Sequence, residues 1–212
     1  MPDYIKDPIR IEEESFKQIK ALTDLTGFDE LQRQVIMRLV HTCGNPDVAS
    51  EVKISAAAIQ AGITALENKQ AIYCDVEMVK QGLTKRFLEV EPQCFLNHSS
   101  VAEIAKSNGE TRTMTALEFW ADGIKDGIAI IGNAPTALYR LLENIQQGQA
   151  KPALIIGIPV GFIGAAESKD YLWKMHKELG IECITVLGRT GGSALAAGAF
   201  NTLVRLQRGL RF

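Results

Sequence analysis

The sequence predicts an α/β fold built on a five-stranded parallel sheet. From about residue 70 onward, short apolar runs alternate with segments of helical periodicity, a pattern typical of a parallel, doubly wound sheet. Three of these runs lead into glycine-bearing loops that open into helices. The five runs with the length of a buried strand are Ala71–Cys74, Gln93–Leu96, Ile128–Gly132, Ala153–Ile158 and Cys183–Leu187.

Helical segments separate and follow these strands. Their apolar residues recur at helical spacing, and glycine, proline or serine stands near many of their ends. The predicted helices are Val76–Gly82, Ser99–Lys106, Met114–Asp122, Pro135–Gln147, Ser168–Leu179 and Ser193–Arg208.

The first 70 residues carry helical patterns without strands. One pattern begins near Pro8, and Asp29 is placed to cap a second helix that ends at Gly44. A third, alanine-rich helix is predicted over Ser55–Leu66, where intrinsic helix propensity is high. We therefore expect additional N-terminal helices packed on the sheet.

Length and composition indicate one folded domain. The chain has 212 residues, 46% of them hydrophobic and 23% charged, which is ordinary for a globular protein. We expect a single domain over 1–212, with a helical part at about 1–69 and a sheet part at about 70–212. The net charge of −2 argues against non-specific nucleic-acid binding. An anionic ligand must therefore meet a local basic patch.

The cysteines and the apolar runs bear on location. The four cysteines are scattered, without a CxxC pair, and the first 20 residues are charge-rich, unlike a secretory signal. The apolar runs are far shorter than the ~20 residues that a membrane span needs. We expect a cytoplasmic protein with reduced thiols and no membrane partner.

Three loops predict a ligand site at the carboxyl edge of the sheet. They read IIGNAPTAL, GIPVGFIGAAESK and LGRTGGSALAAG. Strand-to-helix loops gather at that edge, where helix N-termini present free N–H groups to anions. The three loops together indicate a large polyanionic ligand.

Two of these loops contain candidate contacts. In the first, Asn133 is a plausible N-cap before Pro135. In the third, successive N–H groups could form an anion nest and an arginine could hold a carboxylate. The candidates in that loop are Arg189, Gly191, Gly192 and Ser193. Neither GxGxxG nor a Walker loop is present, which disfavours a nucleotide-binding module.

His41 stands apart from the apolar stripe of its helix. At ~100° per residue it falls about 280° from Leu31, outside the arc of the apolar positions, and Arg38 lies near it. Two interpretations remain open: a solvated surface histidine, or a proton donor beside an arginine that holds an acidic substrate. His41 and Cys43 are two residues apart and cannot face each other, so we expect no metal site.

Taken together, these segments resemble the precorrin-8X methylmutase family of vitamin B12 biosynthesis. The resemblance covers nearly the whole chain and preserves the order of the motifs. The segments that carry it are YIKDPIRIEEESF, RLVHTCG, YCDVEMV, ETRTMTALEFW, IIGNAPTAL, PVGFIGAAESK and GRTGGSALAAGAFNTL.

The resemblance implies an isomerase that moves a methyl group from C-11 to C-12 of precorrin-8X, or of cobalt-precorrin-8, giving hydrogenobyrinic or cobyrinic acid. It implies a three-layer, flavodoxin-like fold, no cofactor, and a homodimer with sites at the subunit interface. The histidine of the family's R-x-x-H segment, its proposed proton donor, matches His41. The matching ligand-contact segments contain Ser15, Arg38, Thr84 and Arg112.

A second function stays open at this point. A non-catalytic tetrapyrrole carrier could keep the same fold and loops, although the presence of His41 disfavours it. The sequence does not decide between a metal-free and a cobalt-containing substrate.

Overall fold

The computed structural model describes residues 4–212, apart from the side chain of Asp122. Residues 1–3 of the predicted domain lie outside the described residues. Within this range, the strands are β1 Val52–Ile54, β2 Ile72–Cys74, β3 Ile128–Ile131, β4 Leu154–Gly157 and β5 Glu182–Val186. The helices are α1 Pro8–Leu22, α2 Glu30–Cys43, α3 Val48–Glu51, α4 Ala58–Glu67, α5 Glu77–Gly82, α6 Val101–Asn108, α7 Arg112–Ala116, α8 Pro135–Gln146, α9 Ala165–Leu179 and α10 Ser193–Gln207.

The sheet has five strands in the order β1-β5-β4-β3-β2, and four of them are parallel. The edge strand β1 is antiparallel to β5. The prediction of an all-parallel sheet is therefore wrong at this edge. Strand β1 comprises three residues, too few for a periodic pattern to identify it within a region that reads as helical.

The predicted strand Gln93–Leu96 is also wrong. Gln93 forms an isolated parallel bridge with Tyr73. Its N–H donates to Ile72 O and its carbonyl accepts from Cys74 N, each at 2.8 Å. The chain then turns, because His98 N donates back to Phe95 O. A single residue thus borders β2 where the apolar run suggested a strand.

The strand order differs from the doubly wound, flavodoxin-like order that was expected. A flavodoxin-like sheet reverses its strand order at a switch point, whereas β2, β3, β4 and β5 follow one another without reversal. Right-handed crossovers that always advance in one direction place their helices on one face of the sheet. Accordingly α8 and α9 share a face, and helices from both ends of the chain cover the other.

Each face of the sheet supports its own hydrophobic core. Ile128 and Ile130 belong to the core formed with α2, α4, α5 and α10, and Ala129 and Ile131 belong to the core formed with α8 and α9. This alternation follows from the two-residue period of a strand. All four residues of β3 are fully buried, as expected for a strand covered on both faces.

Local signals place the ends of the helices that carry the candidate site. Asp29 and Gln32 form a capping box at the start of α2, and Gly44 ends the helix in the left-handed conformation. Gly164, with φ 75°, precedes α9, which begins three residues before its predicted start. No helix within residues 4–212 combines the length and apolar character that crossing a membrane requires.

We expect Asp29→Ala to lower the free energy of unfolding by about 1 kcal/mol, because the Asp29 carboxylate accepts from Gln32 N at 2.8 Å. Urea unfolding followed by circular dichroism measures this change. Asp47→Ala is the matched control, since Asp47 precedes α3 without a side-chain cap bond. Equal losses in the two variants would contradict the capping role of Asp29.

Candidate active site

His41 lies on the exposed side of α2, in the last turn of the helix. Its orientation agrees with the helical pattern, because Val35, Ile36 and Leu39 are fully buried on the opposite side. The imidazole stacks on Phe16 of α1, with ring centroids 5.2 Å apart and planes 8° apart. The histidine is therefore held by an aromatic partner while one side stays open.

Phe16 also stacks on Phe212, with ring centroids 4.0 Å apart. We call His41, Phe16 and Phe212 the aromatic stack. It joins α2, α1 and the C-terminal segment, and Phe212 N is anchored by donating to Gln34 Oε1 at 2.7 Å. Sequence patterns do not predict this role: Phe16 reads as a core residue, and Phe212 lies outside every motif.

Two guanidinium groups share one carboxylate beside this stack. Glu12 Oε1 lies 3.5 Å from Arg38 Nη2 and 3.7 Å from Arg205 Nη2. Both guanidinium groups also cover the ring of Phe212, at 4.2 and 4.3 Å from its centroid. We call Arg38 and Arg205 the arginine pair. Two cations and one anion leave a surplus positive charge that suits an acidic ligand.

The surroundings of His41 favour its neutral form. Partial burial lowers its pKa below the usual 6.5, the positive charge of Arg38 lowers it further, and the carboxylate of Glu12 raises it. The imidazole is therefore mostly unprotonated at pH 7 when no ligand is bound.

A cavity of about 390 Å³ opens beside the arginine pair. Its walls come from α2, from the loop after α5 and from α10. The residues that line it are Arg38, Thr42, Gly82, Thr84, Arg86, Phe87, Ala194, Gly198, Asn201 and Arg205. The structure thus brings two of the predicted contacts, Arg38 and Thr84, to one cavity. His41 does not line this cavity, but its imidazole lies within electrostatic reach of Arg38.

The cavity walls are fixed by close packing against α10. A Cβ on Gly198 would lie 3.0 Å from Thr42 Oγ1, so glycine permits α2 and α10 to approach this closely. Asn201 Oδ1 accepts from Thr84 N at 2.8 Å, and its Nδ2 donates to Gly82 O at 2.9 Å. Asn201 therefore holds the loop that carries Thr84. Sequence patterns do not predict the roles of Asn201 and Arg205, because their partners lie far away along the chain.

The first glycine-bearing loop uses its own N–H groups internally. The carboxylate of Asp75, just after β2, accepts from Gly132 N at 3.1 Å, Asn133 N at 2.8 Å and Ala134 N at 2.9 Å. Asp75 is almost fully buried, and burial raises its pKa more than these bonds lower it. This loop cannot offer its backbone to an anionic ligand, because Asp75 already occupies the place of the anion.

The prediction of Asn133 as an N-cap is consequently wrong. Ala134 is the capping residue of α8, without a side-chain bond, and Pro135 follows it at the first turn. The carboxylate of Asp75 on the neighbouring strand takes the place of a capping side chain. The side chain of Asn133 is exposed.

The loop after β5 lies against the end of β4. Gly192 N donates to Ile158 O at 2.9 Å, so part of the predicted anion nest is occupied. A Cβ on Gly191 would lie 2.4 Å from Pro159 O, which excludes a larger residue. Ser193 begins α10, whose later turns line the cavity. Arg189 is exposed and lies over the ring of Phe162, 5.6 Å from its centroid.

The other two predicted contacts lie outside the cavity. Arg112 begins α7, and its Nη2 donates to Leu96 O and Asn97 Oδ1, both at 3.0 Å. Ser15 Oγ donates to Ile11 O within α1, at 2.7 Å. Among the residues described, no group of three or more His, Cys, Asp or Glu side chains is placed to hold a metal ion.

Comparisons with known proteins identify relatives over nearly the whole chain. The profile of the precorrin-8X methylmutase family matches residues 10–206. A precorrin-8X methylmutase of Pseudomonas aeruginosa is 42% identical over 205 residues, covering 96% of this chain and 98% of the relative. A cobalt-precorrin-8 methylmutase of Methanocaldococcus jannaschii is 36% identical over 180 residues, covering 85% of this chain and 82% of the relative.

A solved structure shares the fold. The precorrin-8X methyl mutase of Thermus thermophilus superposes with a TM-score of 0.84 at 33% identity, covering 95% of this chain and 97% of that one.

We expect Asp75→Asn to lower the free energy of unfolding by about 1–3 kcal/mol, because an amide nitrogen cannot accept from the buried N–H groups. Chemical unfolding measures the loss. Glu77→Gln, a similar change of charge two residues further on, serves as the control. A loss for Asp75→Asn no larger than that of the control would show that the carboxylate does not organise the loop.

We expect the titration of the His41 ring, followed by NMR, to respond to its two charged neighbours in opposite directions. Arg38→Gln removes a repelling cation and raises the pKa of His41, whereas Glu12→Gln removes an attracting anion and lowers it. Glu103→Gln, an exposed charge change on α6, should leave the titration unchanged. Shifts of the same sign in the first two variants would contradict the electrostatic account.

Proposed function

This chain belongs to the precorrin-8X methylmutase family of isomerases in cobalamin biosynthesis, and from that premise we propose how its residues perform the reaction. The substrate is precorrin-8X or cobalt-precorrin-8, and the methyl group at C-11 moves to C-12 to give hydrogenobyrinic or cobyrinic acid. The main support is the position of His41 on α2, close to Arg38, because Arg38 and Arg205 carry surplus positive charge and line a cavity.

His41 acts as the proton donor in this proposal. The migration of the methyl group within one molecule needs no nucleophile; it needs a macrocycle held in one conformation and protonated where the rearranged π-system is stabilised. The open side of the aromatic stack leaves the His41 ring accessible to a flat ligand, and Phe16 limits its rotation.

The substrate itself raises the pKa of His41. An acetate or propionate arm that neutralises Arg38 removes the repulsion that, after burial, lowers the pKa of the imidazole in the free protein. Substrate binding thus promotes the acid form of the donor. The pH dependence of kcat/KM reports the pKa values of the free protein. We therefore expect kcat/KM to fall as the pH rises through the lowered pKa of His41, because the protonated fraction of His41 then declines.

The arginine pair and the cavity hold part of the substrate. Arg38 and Arg205 bind acid arms, and Thr84 offers a further contact from the opposite wall. The macrocycle with all its arms is larger than this cavity, so the rest extends along the surface. The other proposed contacts lie outside the cavity, at Ser15, Arg112, Asn133, Arg189, Gly191, Gly192 and Ser193.

A homodimer with the active site near the subunit interface accommodates these dispersed contacts. Exposed apolar side chains support it: Ile9, on the helix that carries Glu12 and Phe16, is 68% exposed, and Phe162, beside Arg189, is 83% exposed. A partner subunit that covers these side chains could present its own contacts to the same substrate. Static light scattering tests the dimer, and a monomer at working concentration would contradict it.

We further propose one domain over 1–212, in which the helical part at 1–69 is joined to the sheet part. The pairing of β1 with β5 and the Glu12 carboxylate shared by Arg38 and Arg205 support this organisation. A cytoplasmic location is proposed as well, and the four free cysteines are consistent with it. The carrier alternative finds no support among the relatives described, which are named as enzymes.

We expect His41→Gln to retain substrate binding and to slow single-turnover conversion by about 10²–10⁴-fold, the contribution of a positioned acid. Absorbance of the pigment measures both binding and conversion. His98→Gln, another exposed histidine that packs on an aromatic ring, is the matched control. A single-turnover rate for His41→Gln close to that of the control would refute the role of His41 as donor.

A further inference from the structure

Lys169 is a buried charged group that the proposed reaction does not use. It lies in the second turn of α9 and is 0% exposed, among the largest fully buried side chains of the described residues. Burial of an ammonium group is unfavourable unless hydrogen bonds or an opposite charge compensate it. A methionine of similar length would avoid this cost. The presence of lysine therefore indicates that its Nζ has a function that an apolar side chain could not supply.

The Nζ of Lys169 donates to the carbonyl of Thr190, at 2.6 Å. Thr190 lies in the loop between β5 and α10, beside Arg189, Gly191 and Gly192. The carboxylate of Glu51 favours the charged form of Lys169, but burial outweighs it and lowers the pKa of the ammonium to about 8. Lys169 therefore bonds a backbone oxygen of the loop from inside the protein.

Lys169 adds a hydrogen bond from inside the protein to the exposed half of the loop. On the inner side, Gly192 N donates to Ile158 O, and Gly191 lies too close to Pro159 O to accept a side chain. On the outer side, Gly188, Arg189 and Thr190 are exposed. The Lys169 bond reaches this outer half through the carbonyl of Thr190. Thr190 lies two residues before Gly192, whose N–H bonds Ile158 O.

We propose that Lys169 is a positioning residue for substrate binding, which sets the conformation of the loop 188–193 through the carbonyl of Thr190. The loop then presents the guanidinium of Arg189 and the start of α10 to an acid arm of the macrocycle. The inference rests on the proposed function, in which this loop contacts the substrate. Lys169 is the last residue of the motif PVGFIGAAESK, which has no other role in the proposed reaction.

The test compares Lys169→Met with Lys174→Met, an exposed lysine of the same helix that pairs with Asp170. We expect Lys169→Met to raise KM by roughly tenfold to a hundredfold, the range for loss of a hydrogen bond to a charged group. We expect kcat to change by less than about threefold, because the loop binds substrate without taking part in proton transfer. Lys174→Met should leave both constants unchanged.

Two further measurements separate positioning from packing. Hydrogen exchange in Lys169→Met should accelerate in the loop 188–193 while the strands stay protected, and its thermal midpoint should not fall, since replacing a buried charge by an apolar side chain is often neutral. Lys169→Arg keeps a cationic donor and should recover most of the KM of the parent. Hydrogen exchange is measured without substrate. It therefore tests whether Lys169 restrains the loop 188–193 even if the unmodified protein shows no methyl migration.

Three results would overturn the proposal. Unchanged KM and unchanged loop exchange in Lys169→Met would show that the bond positions nothing. Equal impairment of the Met and Arg variants would indicate a role in packing. An unfolded Met variant beside a folded Arg variant that keeps the KM of the parent while its loop 188–193 exchanges faster would indicate that the hold on the loop does not serve substrate binding.

Discussion

The carboxylate of Glu12, shared by Arg38 and Arg205, is the interaction on which the proposed site depends. It joins α1, α2 and α10, and it places both guanidinium groups over Phe212. Burial lowers the pKa of His41, and the same cluster adjusts it further, because Arg38 disfavours the imidazolium and Glu12 favours it. Without this arrangement the histidine would be an ordinary surface residue, one of the two interpretations that the sequence allowed.

The fold serves this cluster by bringing distant segments together. Helix α10 begins at the loop after β5 and passes along α5 and α2, so that Ser193, Gly198 and Arg205 follow one another from the sheet edge to the arginine pair. The close approach at Gly198 determines how near α2 can lie. Helix α10 therefore links the carboxyl edge of the sheet to the arginine pair beside α2.

The sequence predicted those features that depend on local patterns. The four parallel strands and most helix ends are fixed by apolar runs, caps and glycines, such as Asp29 and Gly44 on α2. The orientation of His41 followed from helical periodicity in the same way. Strand β1 was not predicted, because three residues are too few to show a periodic pattern of apolar residues. The strand order was not predicted, because it depends on pairing between strands that are distant in the sequence.

The interior of the loops was the hardest part to anticipate. A glycine-bearing loop before a helix predicts free N–H groups, yet those of the first loop are bound by Asp75 from the neighbouring strand. The loop after β5 is held in turn by the buried Lys169. Asp75 and Lys169 both lie outside the loops that they bind. The loop motifs therefore predicted the position of the carboxyl edge of the sheet, but not which backbone groups of the loops remain free for a ligand.

A structure of the protein with its corrinoid product bound is the decisive measurement for the role of His41. We expect the macrocycle against the open side of the His41 ring, with acid arms on Arg38 and Arg205 in place of their shared contact with Glu12. A pigment bound away from α2, with the imidazole of His41 out of hydrogen-bonding reach, would contradict it.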